Sequence, residues 1–331
     1  MTIMNSRERL LTAMRLGQPD RVPFFDAIDK SIQMQVMGKK DFTCVDLAQK
    51  LGMDAIGFDF FPPLFCVRKE IDGIDHVVDG LIKKAEDLHL MKLPDPDNKE
   101  LYSEAESFID KYGKSGYAIY ARIRLGASPT LLSMGLDGFS YALYDNPDLV
   151  HEILDKYSNW SKRVIENLNE IGIDFYWSCD DLAYKTGPMF SPQVFRDVFL
   201  PYMKRAADAI KLPWIFHSDG NLMPLIEDLL SLKMSCLHPI EPGAMDIEQV
   251  KKTYGNKICL MGNIDLHYTL TQGTPDEVDE EVKLRINQAG TGGGYILSSA
   301  NSIPNYVKVE NLLAMAEAVK KYGKYPLDID Q

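Results

Sequence analysis

His217 and Asp219 stand two residues apart in the run Trp214-Ile215-Phe216-His217-Ser218-Asp219-Gly220. Histidine is the side chain whose ordinary pKa, about 6.5, lies nearest neutrality. An imidazole and a carboxylate in one turn can ligate a divalent metal or work as an acid/base pair. The competing reading is a capping aspartate next to a histidine bonded to backbone. The wider pattern favours chemistry, because other apolar runs end the same way. They read AIGFD at Asp59, IYAR at Arg122, FYWSCDD at Asp180 and Asp181, CLHPIE at His238 and Glu241, and ICLMGNID at Asn263 and Asp265.

Each of these side chains has its own reading. Adjacent carboxylates in extended backbone point opposite ways, so only one of Asp180 and Asp181 faces a shared site. The other is expected to bond to backbone. Glu241 is fixed by neighbouring prolines. Asp59 lies among Phe58, Phe60 and Phe61, where desolvation raises a carboxyl pKa and suits proton donation. The catalytic candidates are therefore Asp59, Asp181, His217 and Glu241. Phe58, Phe60, Tyr176 and Trp177 are candidates to line a pocket for an aromatic ring, with ordinary core as the alternative. Arg122, Asn263 and Ser299 are further binding candidates. Cys179 is the one thiol at a strand end; the five cysteines form no CxxC pair and read as reduced thiols.

A continuous apolar run with a polar terminus is how a strand buried on both faces reads when its C-terminal end opens into a site. Two more runs, Pro23–Asp29 and Tyr295–Asn301, make eight. Most are separated by stretches of helical periodicity, among them Pro147 to Ile171 with Asn146 as cap. The fold class is α/β, a single (β/α)8 barrel whose active site lies at the C-terminal strand ends. FCVRKEIDGIDHVVDG reads as a β-hairpin insertion near residues 65–79, turning at Asp72-Gly73. Residues 1–331 form one domain. Ser6 is expected to cap a first helix from Arg7 to Leu16.

Composition excludes several classes. The formal net charge is −12 with a pI near 5.0, a poor match for nucleic acid. No apolar stretch is long enough to span a bilayer, and the N-terminus lacks a signal-peptide core, so no membrane role and a cytoplasmic location are expected. The Gly290–Gly294 stretch precedes a strand, the wrong order for a phosphate loop. Ser298 and Ser299 lack a nucleophile elbow.

Several motifs together resemble one family. They are SRERLLTAMRLGQPDRVPFF, GFDFFPP, SPQVFRDVFLPYMKRAADAIK, the HSDG turn, YGNKICLMGNID and GGGYILSSANSIP. The chain resembles the uroporphyrinogen decarboxylase superfamily over nearly its whole length, which implies a distorted barrel. That group contains porphyrin decarboxylases and methyltransferases serving corrinoid proteins. The decarboxylases carry an arginine-rich segment after the first strand; here that place reads DAIDKSIQM. Their catalytic aspartate is matched by Asp59, and their tyrosine falls near Met134. A substrate with eight carboxylates needs a cationic mouth, and these strand ends are acidic. The methyltransferases that methylate coenzyme M hold zinc through an HxC turn and a later cysteine. The matching positions are His217, Asp219 and Asn301, with oxygen donors in place of thiolates, a set able to hold zinc or another divalent metal.

The resemblance therefore implies transfer of a methyl group from a small-molecule methyl donor, a methoxylated aromatic first, to a corrinoid carried by a transient partner protein. A methylamine or betaine methyltransferase, a true porphyrin decarboxylase, and a non-catalytic barrel that binds a tetrapyrrole or corrinoid are the other readings.

Overall fold

The computed structural model describes residues 3–71 and 74–327. Eleven strands are present among them: β1 (Ala55–Asp59), β2 (Cys66–Ile71), β3 (Ile74–Gly80), β4 (Ala118–Ile123), β5 (Phe175–Cys179), β6 (Ala183–Tyr184), β7 (Gly187–Pro188), β8 (Trp214–His217), β9 (Cys236–His238), β10 (Cys259–Ile264) and β11 (Tyr295–Ser299). Seven of them form one parallel sheet in the order β1-β4-β5-β8-β9-β10-β11. Sequential parallel neighbours joined through helices are the signature of a curled (β/α) barrel.

The expected first strand, Pro23–Asp29, does not become one. It closes the ring between β11 and β1 through isolated bridges, Phe24 to Leu297 and Ile28 to Ile303. The reason is chemical: two carboxylates take bonds that backbone carbonyls would accept in a ladder. Asp54 Oδ2 receives the Phe24 N–H at 2.9 Å, and Asp26 Oδ2 receives the Ser299 N–H at 2.7 Å. On the β11 side, Pro23 contributes a carbonyl to Leu297 N–H but has no N–H to return. The seam between this segment and β1 opens into a cavity of about 780 Å³ lined by Asp26, Asp59, Tyr120 and Arg122. The barrel is distorted at this seam.

Inside the sheet, Phe25, Tyr120, Phe175 and Trp177 fill the lumen with ring centroids 5.5 to 5.8 Å apart. Side chains alternate along a strand, so Tyr176 points outward and Trp177 inward. The outer layer includes the helix Pro147–Leu168, begun by Pro147 at its first turn with Asn146 accepting the Leu149 N–H. The first helix is Ser6–Met14, and its cap is Asn5 rather than Ser6. Asn5 accepts the Glu8 N–H while Glu8 accepts the Asn5 N–H, which satisfies two free donors at once.

β2 and β3 pair antiparallel as the expected hairpin, outside the parallel sheet. Its proposed turn, Asp72-Gly73, lies outside the described residues. No helix among the described residues is long and apolar enough to cross a membrane. All five cysteines are free.

Candidate active site

The C-terminal ends of the parallel strands carry the candidate residues, and strand register brings the central ones together. β8 and β9 pair with His217 opposite His238. Paired residues of parallel strands point to the same face, so the two imidazoles meet there. His217 Nδ1 lies 2.7 Å from His238 Nδ1. That contact leaves His217 Nε2 free to face the mouth, 3.6 Å from Asp181 Oδ1 and 3.9 Å from Asp219 Oδ1. The indole of Trp177 abuts His238 edge-on at 5.2 Å. His238 is fully buried. Burial first, then the neighbouring His217, hold its pKa well below the usual histidine range, so the ring is neutral.

Asp181, His217 and Asp219 form a group whose ligand atoms all lie within 4.8 Å of one another. Donors bound at about 2.0–2.1 Å to one tetrahedral ion sit roughly 3.4 Å apart, close to the spacings found here. Asp219 Oδ1 is buried without a hydrogen-bond partner. One imidazole nitrogen with two carboxylate oxygens suits zinc or a harder divalent ion. The residues present therefore fit a divalent metal.

The ligand set differs from the expected one at its third member. Asn301 donates from Nδ2 to Asp219 Oδ2 at 2.6 Å, so it holds a ligand in place, and Asp181 supplies the third donor atom. Burial pushes the Asp219 carboxyl up to about 6, with Asp181 and Glu241 acting in the same direction and His217 and the Asn301 hydrogen bond opposing.

The turns that aim these groups are fixed by backbone bonds. Asp180 is buried and accepts from Leu125 N–H, Ser128 N–H and Ser178 Oγ. It is the structural member of the pair, and Asp181 faces the mouth. Ser128 Oγ in turn receives the Asp181 N–H at 2.8 Å. Glu241 Oε2 accepts the Gly220 N–H at 2.8 Å, which ties the loop after β9 to the loop after β8. Gly220 has φ +85°, and a Cβ there would come 2.6 Å from backbone atoms of Ala183 and Tyr184, so only glycine fits. Asn263 is buried and donates to the Ile240 carbonyl at 2.7 Å, bracing the segment that carries Glu241. Asp265 accepts from the N–H groups of His267 and Tyr268 and caps its own turn.

Several expected site residues lie elsewhere. Asp59 is not a desolvated acid: its side chain is 48% exposed and held by two bonds from Arg122, at 2.5 and 2.8 Å. Phe58 stacks edge-on with Phe108, and Phe60 lies flat on Tyr102, so both pack against the helical layer beside β1. Tyr176 donates its hydroxyl to Ile165 O and Asn169 Oδ1, also on the outer side. Trp177 alone of that aromatic set borders the site. Burial pushes the Cys179 thiol up to about 12, which disfavours the reactive thiolate.

Three residues without an assigned role in the sequence reading matter here. His238 supports His217, and the signal was its matching place at the end of the neighbouring run. Ser128 positions Asp181, which no local pattern announced. Asp26 is buried in the ring-closing segment; burial raises its carboxyl to about 7 against hydrogen bonds from Ser299 and Ala27 and the charge of Arg122. The Ser299 hydroxyl and Asp26 Oδ1 are both buried without partners.

Residues 70–322 match the family model described as Uroporphyrinogen decarboxylase (URO-D). The chain belongs to the uroporphyrinogen decarboxylase family. A uroporphyrinogen decarboxylase of Chlorobium phaeovibrioides is 25% identical over 263 residues, which is 70% of this chain and 72% of that protein. One of Ruthia magnifica is 24% identical over 192 residues, covering 55% of this chain and 52% of its own. The chain thus spans about half the length of the second relative. Among solved structures, a methyltransferase from Methanosarcina mazei superposes with a TM-score of 0.75 at 19% identity, covering 96% of this chain and 99% of that one. The barrel fold is common to this family member and that methyltransferase.

Proposed function

We propose that this family member is a methyltransferase. It moves a methyl group from a small methylated substrate, a methoxylated aromatic in the first place, to the Co(I) of a corrinoid carried by a separate protein. The observation that carries the reading is the Asp181–His217–Asp219 group at the barrel mouth. It offers a leaving group a metal ion or a proton, and among the described residues the cations at the mouth are few for a substrate with eight carboxylates: Arg122 is matched by Asp59, and Lys185 lies 3.5 Å from Glu241. The segment after the first apolar run contains no arginine, and Met134, in place of the decarboxylases' tyrosine, is fully buried.

In this reaction the Co(I) electron pair forms a bond to the methyl carbon, and the carbon–oxygen bond breaks with its pair on oxygen. The cobalt becomes methyl-Co(III), and the departing phenolate, whose conjugate acid has a pKa of about 10, takes up a proton. His217 Nε2, Asp219 Oδ1 and Asp181 Oδ1 would hold a divalent ion, which supplies Lewis acidity toward the departing oxygen. His238 fixes the orientation of His217, and Asn301 fixes that of Asp219. With no ion bound, Asp219 Oδ1 is instead the atom that can keep a proton at mildly acidic pH for direct donation. Glu241, anchored by Gly220, adds negative charge that, after burial and Asp181, helps raise the Asp219 carboxyl.

The test mixes reduced corrinoid protein, enzyme and a panel of ethers, amines and betaines without oxygen. The expected result is conversion of the Co(I) band to methyl-Co(III) that requires enzyme and donor. His217→Ala should lower the rate by roughly 10²- to 10⁴-fold and remove the metal found by elemental analysis. No conversion across the panel with a cognate corrinoid protein overturns the proposal. Formation of coproporphyrinogen from uroporphyrinogen III would assign the decarboxylase activity instead.

A further inference from the structure

Arg124 lies just past the end of β4 on the same inward side as Tyr120 and Arg122. The two arginines flank the Phe61 ring, with guanidinium carbons 4.9 and 5.5 Å from its centroid. Their electrostatic situations differ. Arg122 is matched by Asp59 through two hydrogen bonds. Arg124 has buried Nε and Nη1 atoms with no hydrogen-bond partner. The nearby buried carboxylate, Asp180, has both oxygens engaged by Leu125, Ser128 and Ser178. The residue is half-buried, so the guanidinium is partly open to a ligand; buried nitrogens with unmade bonds are costly, and the planar fork is complementary to a carboxylate or similar oxyanion.

Arg124 also borders a cavity of about 320 Å³ under the β2–β3 hairpin, whose walls include Val78, Leu131, Leu136 and Met189. This volume is at the lower end for small-ligand sites. Asp181 lines the same cavity, so the space that starts at Arg124 extends to one member of the group Asp181–His217–Asp219.

We infer that Arg124 is an anion receptor: the substrate is a small apolar molecule bearing a carboxylate, seated with that carboxylate on the Arg124 fork and its body along the apolar wall. The inference rests on the methyl-transfer reading only for which end of the molecule reacts, since Asp181 places the other end at the metal-binding group. Arg124 is a binding and specificity residue, and the methyl donor is then a methoxylated aromatic acid in preference to its neutral or cationic counterparts.

The experiment measures binding of 4-methoxybenzoate and 4-methoxybenzamide to the full chain by calorimetry, with zinc present and no corrinoid protein. The acid should bind at least 10-fold more tightly than the amide. Arg124→Met should lose about 10- to 100-fold in acid affinity, as expected for removing charged hydrogen bonds, and bring the two ligands to near equality. Arg124→Lys, which keeps the charge and loses the fork, should retain part of the preference, and it serves if Arg124→Met does not fold. Equal binding of acid and amide by the unaltered protein overturns the inference. So does an undiminished preference in Arg124→Met or, if that variant does not fold, in Arg124→Lys, and so does failure of the acid to bind. Acid-selective binding without methyl-Co(III) formation would sink the methyl-transfer reading and leave the anion receptor standing.

Discussion

Asp26 holds one oxygen to the Ser299 N–H and leaves the other buried and bare. Its carboxyl is raised from 3.8 to about 7, chiefly by burial. Between those values the unfolded chain has released a proton that the folded chain keeps, so stability falls as pH rises from about 4 to about 7. The difference corresponds to about 4 kcal/mol at most. Asp26→Asn keeps the acceptor for Ser299 and removes the titration. Urea midpoints at pH 5 and pH 8 should converge in this variant and separate in the unaltered protein; parallel profiles would contradict the assignment. At this scale the sequence was legible where a polar side chain ended an apolar run, as at His217, Asp219 and Asp181. It was less legible where direction mattered. Tyr176 and Trp177 are adjacent and equally apolar in context, yet strand alternation sends one to the helices and the other to the site. Asp59 looked desolvated among phenylalanines because nothing local shows that Arg122, 63 residues on, lies across from it.

Between elements, Asp180 joins the chain after β4 to the end of β5. Asp180→Ala leaves two buried N–H donors without acceptors, and should cost about 2–5 kcal/mol by denaturant titration. Asp180→Asn, which retains one acceptor oxygen, should cost less. A loss below about 1 kcal/mol in the alanine variant would show that water replaces the carboxylate. Seven of the eight apolar runs became parallel strands, because a chain buried on both faces leaves little choice of backbone. The eighth failed because Pro23, Asp26 and Asp54 substitute ring and side-chain chemistry for ladder bonds. Asp54, outside that run, gave no warning of this. The β2–β3 hairpin was visible as a polar alternation that could not be barrel wall. The short β6–β7 pair was not, because two-residue strands have no periodicity to read.

For the molecule as a whole, the acidity of the mouth is more local than a count of strand-end carboxylates implies. Asp180 and Asp265 are tied to backbone, Asp59 to Arg122, and Glu241 to the Gly220 N–H and Lys185, leaving Asp181 and Asp219 beside His217. The barrel wall itself is uneven. Phe60 N–H bonds Arg122 O across to β4 at 2.8 Å. Alternate residues of a parallel strand send their N–H groups to opposite neighbours, so Ile56 and Phe58 follow Phe60. Gly57 and Asp59 turn theirs toward the open seam, where no partner for them is found among the described residues. The ring is thus a chain of continuous ladders with one weak link, and deuterium should find it. Amides of Gly57 and Asp59 should exchange with heavy water well before those of Ile56, Phe58 and the β5 and β8 strands, since protection tracks local opening. A carboxylic acid ligand bound at Arg124, away from the seam, should leave that early exchange in place. Uniform protection around the ring would mean that the barrel opens only as a whole.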